Sequence, residues 1–325
     1  MDPCALITGV VGQDGTYLAE LLLAEGYRVV GAVRDVERGR AALPDALRDR
    51  VELAPLDLHQ PLHLAALLRQ HRPSEVYNLA GYSTGAGMFD DAAAIGVVNG
   101  IAVTHLLDAI REVAPGTRLC QASSSEMFGE TTESPQDESS PMRPRSPYGA
   151  AKLYAHAMIG VYRRRYGLHA CSAILFNHES PRRALGFVTR KVTNGAARIA
   201  LGLDEELRLG NLEARRDWGF AGDTVRAMWL ALRAPAAGDY VVATGELHSV
   251  RDLCEVAFGH LGLDYRAHVR EEASDFRPAE AVPLVGNANL ARSTLGWAPE
   301  IGFRQLVTMM VDADLERLKA TRGAR

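Results

Sequence analysis

Cysteine is scarce in this chain: four residues in 325, with no Cys-x-x-Cys among them. That scarcity excludes a disulfide framework and a zinc-ribbon ligand set, and no metal site is expected. Cys4, Cys120 and Cys171 sit in apolar, strand-like stretches, as buried free thiols of a cytosolic protein do. Excess charge is also missing, since 36 Lys+Arg oppose 40 Asp+Glu for a net charge of −4. So weak a field does not hold DNA or RNA, and no nucleic-acid partner is expected. A local arginine cluster can still bind a phosphorylated ligand. No uninterrupted run of about 18 apolar residues is present, so no membrane span is expected. The first residues carry no basic region followed by an apolar one, so no secretory signal is expected and the location reads as cytoplasmic. No internal repeat or low-complexity segment stands out.

What is present is a globular composition, 47% hydrophobic and 23% charged, long enough for one large or two intimately joined domains. Strands are expected over 5–8, 28–33, 51–53, 75–80, 118–122 and 170–175. Helices are expected over 15–25, 92–113 and 148–165. Alternation of this kind implies a parallel sheet covered on both faces. From about residue 177 the alternation loosens, and arginine and glycine become prominent. The expected fold is α/β: a Rossmann-type doubly wound parallel sheet over 1–176, and a smaller, interleaved substrate-binding lobe over 177–325. Residues 215–245 are expected to return to the first domain, because 239–243 reads as a strand.

Three groups of residues carry chemistry. Gly9, Gly12 and Gly15 follow the first strand and open the first helix, with Gln13 and Asp14 between them. Such a loop lets backbone approach a pyrophosphate at a helix N-terminus, so a dinucleotide is the expected cofactor. After the second strand stand Arg34 and Asp35. An arginine there suits the 2′-phosphate of NADP and a carboxylate suits the ribose of NAD, so both remain open. Asp57 and Leu58 follow the third strand, where an adenine-edge contact is often made. Next, Tyr148 and Lys152 lie one helical turn apart. A lysine cation beside a phenol favours the phenolate, which makes Tyr148 a candidate to exchange a proton with a substrate hydroxyl while a hydride moves. Finally, Glu126 closes the run Ser123-Ser124-Ser125-Glu126 at a strand's C-terminal end. It offers a second acid/base group that a simple alcohol dehydrogenase does not need.

Together these residues resemble the extended short-chain dehydrogenase/reductases, and more narrowly the GDP-mannose 4,6-dehydratase family. The runs that carry the resemblance are ALITGVVGQDGTYLAE (5–20), SSEMFG (124–129), PRSPYGAAK (144–152), ILFNHESPRR (174–183), FVTRK (187–191), LGNLEARRDWG (209–219) and FRPAE (276–280). The resemblance implies NADP as cofactor and a nucleotide sugar, most narrowly a GDP-sugar, as substrate. It implies that Tyr148 takes the 4-hydroxyl proton as hydride leaves C4, with Lys152 lowering the phenol pKa and Ser124 hydrogen-bonding the same oxygen. Glu126 would then remove the C5 proton and help water leave from C6, where the hydride returns. His178 and Arg183 would lie near the cofactor. Ser83, Asn177, Lys191, Arg216, Arg277 and Glu280 would bind the sugar, ribose and diphosphate. A homo-oligomer, dimer or tetramer, goes with this family.

The chain departs from the family pattern in three places. Ser124 stands where threonine is usual, and Tyr82 where glutamine is more common, with an altered run over 84–88. Residues 34–38 (RDVER) replace an Arg-Arg-Ser-Ser run. The competing expectations are a heptose 4,6-dehydratase, a 4-epimerase, a decarboxylase, and a non-catalytic dinucleotide sensor. Epimerases need Tyr and Lys but no C5 base, so Glu126 argues against them.

Overall fold

The structure is a computed structural model and describes residues 2–82, 89, 91–272 and 282–323. Seven strands form one parallel sheet: β1 (Cys4–Thr8), β2 (Arg28–Val33), β3 (Glu52–Pro55), β4 (Glu75–Asn78), β5 (Arg118–Ser124), β6 (Ala170–Leu175) and, much later, β11 (Asp239–Val242). Their order is β11-β6-β5-β4-β1-β2-β3. β1, β4 and β6 are buried along their whole length, so they show no alternation of apolar and exposed polar residues, and the polar side chains they carry, Thr8, Glu75, Asn78 and Ser172, are buried too. β1 pairs with β2 on one side and β4 on the other, so the winding reverses there and a crevice opens beyond the strand ends.

Each face of the sheet is covered by helices. On one side lie α1 (Gln13–Ala24) and the helix Ala221–Ala231, which bury Leu18, Leu22, Val225 and Met228. The other side takes the helices Pro61–His71, Ala92–Val113 and Pro147–Tyr166, which bury Leu64, Leu107, Ile110, Ala155 and Ile159. By length and composition, Ala92–Val113 could cross a membrane, yet half of it is buried. Burial of its apolar residues against the sheet accounts for that composition. The continuous helix expected here is interrupted: Val97–Ile101 is wound as a π-turn. The widened turn carries Asn99, whose amide accepts from Tyr82 N and donates to Tyr82 O, both at 2.9 Å.

Among the described residues the second lobe is built from short strand pairs, three longer helices and the short helix Tyr265–His268. β7 (Asn177–Glu179) pairs with β10 (Trp218–Phe220), β8 (Leu207–Leu209) with β13 (Val269–Glu271), and β9 (Arg215–Arg216) with β12 (His248–Ser249). Helices Val188–Ala200, Val250–His260 and Phe303–Gly323 share a core that includes Val192, Leu253, Phe258 and Val311. The chain re-enters the first core twice. β11 extends the sheet beside β6, and Ala288, Ala291 and Trp297 join the cluster around α1. All four cysteines, Cys254 included, are buried free thiols.

Gly15 fixes how closely α1 approaches the loop before it. A Cβ there would stand 2.3 Å from Gly9 O and 2.6 Å from Val10 Cα, both backbone atoms that cannot swing aside. Gly15→Ala is therefore expected to lower stability by about 1–3 kcal/mol, read from urea unfolding. An unchanged midpoint would show that the loop gives way freely.

Candidate active site

The glycine loop sits at the crevice where the winding reverses. Gly9 opens the turn after β1, accepting from Gly12 N at 3.0 Å, and Gly12 caps α1 with no side-chain acceptor on the helix N-terminus. That end of a twelve-residue helix is thus shaped for an anion. Without a side chain at Gly15, the start of α1 packs directly on the Gly9–Val10 backbone, the close loop–helix approach that a pyrophosphate site requires. The residues present therefore fit a dinucleotide. At the end of β2, Asp35 is already engaged: it caps α2 (Val36–Ala42) by accepting from Arg38 N at 3.0 Å and pairs with the Arg38 guanidinium at 3.6 Å. Arg34 is exposed, and no described residue pairs with it. The two candidates left open by the sequence are thus unequal, and the exposed cation, unpaired among the described residues, suits a 2′-phosphate. Asp57 closes a local turn by accepting from His59 N at 2.9 Å, and Leu58 packs against the apolar cluster beneath.

The catalytic candidates converge at the ends of β5 and the helix Pro147–Tyr166. Ser124 is the last residue of β5 and accepts from Glu126 N at 3.2 Å, which starts the short turn Ser125–Met127. Ser146 caps the helix by accepting from Gly149 N, and Pro147 pre-sets its first turn. A Cβ on Gly149 would lie 2.5 Å from Glu126 O, so only glycine lets the helix start so close to the Glu126 backbone. Tyr148, one residue earlier, is thereby held beside both Ser124 and Glu126.

The electrostatics differ from the sequence-based expectation for Lys152. Burial pushes the Tyr148 phenol up to about 12; Ser124 and Arg183 pull it down, while Glu126 and Asp14 push it up. The Lys152 ammonium donates to Ala122 O at 2.7 Å and lies 5.6 Å from the centroid of the Tyr148 ring. Its own pKa falls to about 8 through burial, with Asp14 opposing. Desolvation of both groups outweighs their mutual influence. At neutral pH the phenol is therefore held in its neutral form.

A third set of contacts joins the glycine loop to the second lobe. His178 Nε2 lies 2.8 Å from Asp14 Oδ2, and its Nδ1 lies 2.7 Å from Phe176 O. Gln13 donates to His178 O at 3.1 Å and accepts from Ser180 Oγ at 2.8 Å. The Gln13 and Asp14 side chains, expected at the cofactor, thus turn to the 178–180 segment and leave their backbone at the loop. Burial raises Asp14, but the His178 charge and hydrogen bonds from His178 and Gln13 outweigh it and hold the carboxyl below 3.8. Burial lowers His178, and Asp14 outweighs it to raise the imidazole above 6.5. Arg183 stacks 3.5 Å over the Phe187 ring and lies 3.1 Å from Glu179.

Asn177 lies in β7, paired with Trp218 of β10. Lys191 is exposed on the helix Val188–Ala200, and Arg216 lies in β9 opposite His248. Ser83, Arg277 and Glu280, expected at the substrate, lie outside the described residues, as does the run 84–88. Among the described residues no cluster could hold a metal. Sequence reasoning missed Asn99, which clamps Tyr82, and Asp217. The latter is fully buried and accepts from Thr244 N, Thr244 Oγ1, Gly245 N and Gly286 N, tying three loops together. Its place in ARRDWG, between an arginine and a buried tryptophan, was the available signal.

A crevice-bound dinucleotide loop beside a Tyr/Lys pair and a second carboxylate defines an extended short-chain dehydrogenase/reductase equipped for more than oxidation. The model of the GDP-mannose 4,6 dehydratase family matches residues 6–310, and the chain belongs to that family. It is 46% identical over 327 residues to GDP-mannose 4,6 dehydratase 1 of Arabidopsis thaliana, covering 97% of this chain and 90% of that one. Against the Homo sapiens enzyme the identity is 41%, over 98% of this chain and 93% of that one. Among solved structures, dTDP-glucose 4,6-dehydratase of Bacillus anthracis in complex with NAD superposes with a TM-score of 0.85 at 18% identity, covering 99% and 100% of the two chains. That likeness concerns the fold alone.

Two predictions follow from this geometry. Arg34→Ala should weaken NADP binding about tenfold and NAD binding far less, measured by fluorescence titration, because only the 2′-phosphate loses a charge-assisted partner. Equal losses for both cofactors would contradict this. The Asp14–His178 pair should stabilise the fold most between pH 3.8 and 6.5. A raised histidine contributes fully below its unfolded value and loses its effect as pH rises through the folded one. The depressed aspartate contributes above its unfolded value and loses its effect as pH falls through the folded one. A double-mutant cycle of Asp14→Asn and His178→Gln in urea, run across pH, should show coupling that shrinks on both sides of that window.

Proposed function

We infer that this chain is a hydro-lyase, a nucleotide-sugar 4,6-dehydratase that converts GDP-mannose to GDP-4-keto-6-deoxy-mannose. The observation that carries the reading is the pairing of two acid/base groups at one crevice, with Glu126 held next to Tyr148 through the close approach at Gly149. Plain oxidation and epimerisation use one such group; elimination of water after oxidation uses two.

NADP, held by the loop of Gly9, Gly12 and Gly15 and by Arg34, supplies a hydride acceptor that can return what it takes. Tyr148 receives the proton of the sugar 4-hydroxyl. Ser124, whose hydroxyl already faces the phenol, holds the same sugar oxygen; a serine does this as the usual threonine would. Lys152, anchored on Ala122 O, adds positive charge beneath the phenol and holds the ribose next to it. Once C4 is a ketone the C5 proton is acidic, and Glu126 removes it and gives a proton to the departing C6 hydroxyl. Asn177, Lys191 and Arg216 are assigned to the sugar and diphosphate, and His178 and Arg183 to the cofactor side. Asp57 and Leu58 are assigned to the adenine edge. Ser83, Arg277 and Glu280 keep their proposed substrate roles on the family motif alone. A cytoplasmic location and a homo-oligomer complete the reading. Four buried free thiols support the first, and exposed Ile101, Tyr154 and Val161 on two helices support the second.

Incubation with GDP-mannose should give a product lighter by one water with no build-up of reduced cofactor. A product of unchanged mass would favour epimerisation and overturn the reading. Glu126→Gln should cut water loss on the order of 10²–10⁴-fold while still reducing bound cofactor, and Tyr148→Phe should suppress both. Dehydration by Glu126→Gln at the normal rate would remove Glu126 from its role.

A further inference from the structure

A buried ion pair lies behind the cofactor-side turn, away from the reacting groups. Asp314, on the last helix, is fully buried and is reached by four donors. Arg190 gives two of them, Nε at 3.1 Å and a terminal nitrogen at 2.6 Å; Thr193 Oγ1 gives a third at 2.8 Å, and Arg317 a fourth at 3.1 Å. The remaining terminal nitrogen of Arg190 donates to two backbone carbonyls, Pro181 O at 2.8 Å and Arg183 O at 2.6 Å. Arg317 reaches the same Pro181 O at 2.7 Å. A pair serving only to glue two helices would not need a fork spread over a turn of a third segment.

That turn is fixed from its opposite side by α1. Ser180 bonds Gln13, and Arg182 pairs with Glu20 at 2.6 Å and lies over the Tyr17 ring. Arg183 and His178 flank the turn. We propose that Asp314 is a positioning residue for the cofactor: through Arg190 and Arg317 it sets the 181–183 backbone, and so the placement of Arg183, from the far end of the second lobe. This rests on the dehydratase reading only in taking the crevice as an NADP site.

The test is the affinity of cofactor-stripped protein for NADP, alongside kcat and KM for GDP-mannose and the urea midpoint. Arg190→Lys keeps a cation beside Asp314 but cannot fork onto two carbonyls, so it should raise the NADP Kd about tenfold. Asp314→Asn should do the same. The half-exposed Arg317→Ala, which leaves the buried pair in place, should raise it about threefold with the urea midpoint little changed. Asp204→Asn, in a surface pair on the neighbouring loop, should change none of these. Loss of kcat should exceed any rise in KM for the sugar. If the two buried variants fail to fold, Arg317→Ala decides. Folded variants with wild-type NADP Kd overturn the proposal. Because Kd is read without turnover, a wild-type protein that binds NADP but leaves GDP-mannose intact would sink the functional reading and not this one.

Discussion

A carboxylate at the start of α1 and an imidazole 164 residues later hold the two lobes in one geometry. Most of the site depends on that contact. It sets the glycine loop against β7, and Gln13 and Ser180 reinforce it from either side. Because each partner shifts the other toward its charged form, the link is strongest in acidic solution between the two unperturbed values, pH 3.8 to 6.5. Behind it, Arg190 and Asp314 fix the same segment to the last helix. The 178–183 segment is therefore held from α1 on one side and from the last helix on the other.

The same arrangement explains the state of the reacting groups. Asp14 and Arg183 act on Tyr148 with opposite signs, and burial dominates both. With the phenol pushed up to about 12 and the ammonium pushed down only to about 8, the pair at neutral pH is a neutral phenol beside a lysine that still carries its charge. Such a pair does little by itself. On the proposed reading, positive charge brought in by a bound nicotinamide would lower the phenol. Glu126, at the start of the turn after β5, is only partly buried, which is compatible with the acid/base role proposed for it.

Local signals in the sequence were enough for much of this. β2 and β6 occupy the expected residues because each is a short, mostly apolar stretch, broken only by Arg28 at the start of β2 and Ser172 within β6. The glycine loop, Ser124, Glu126, Tyr148 and Lys152 could be named from spacing and their places at strand and helix ends. What could not be read depends on distant partners. The π-turn at Val97–Ile101 has no periodic signature, because its cause is the pairing of Asn99 with the Tyr82 backbone. The engagement of Asp35 as a helix cap separates it from Arg34, and nothing in adjacent letters distinguishes an aspartate that caps from one that binds ribose. Asp314 lies 124 residues from Arg190, beyond any local pattern. The direction of the Tyr148 shift was hidden for a different reason: spacing shows which charges are near, but not how much water has been removed.

The central claim is that oxidation at C4, loss of water across C5 and C6, and reduction at C6 occur on one sugar without release. GDP-mannose carrying deuterium at C4 tests it most directly. The product should be lighter by one water and should carry the deuterium at C6, in the same molecule that lost it from C4. Deuterium retained at C4 with unchanged mass, or released into reduced cofactor in solution, would contradict the account.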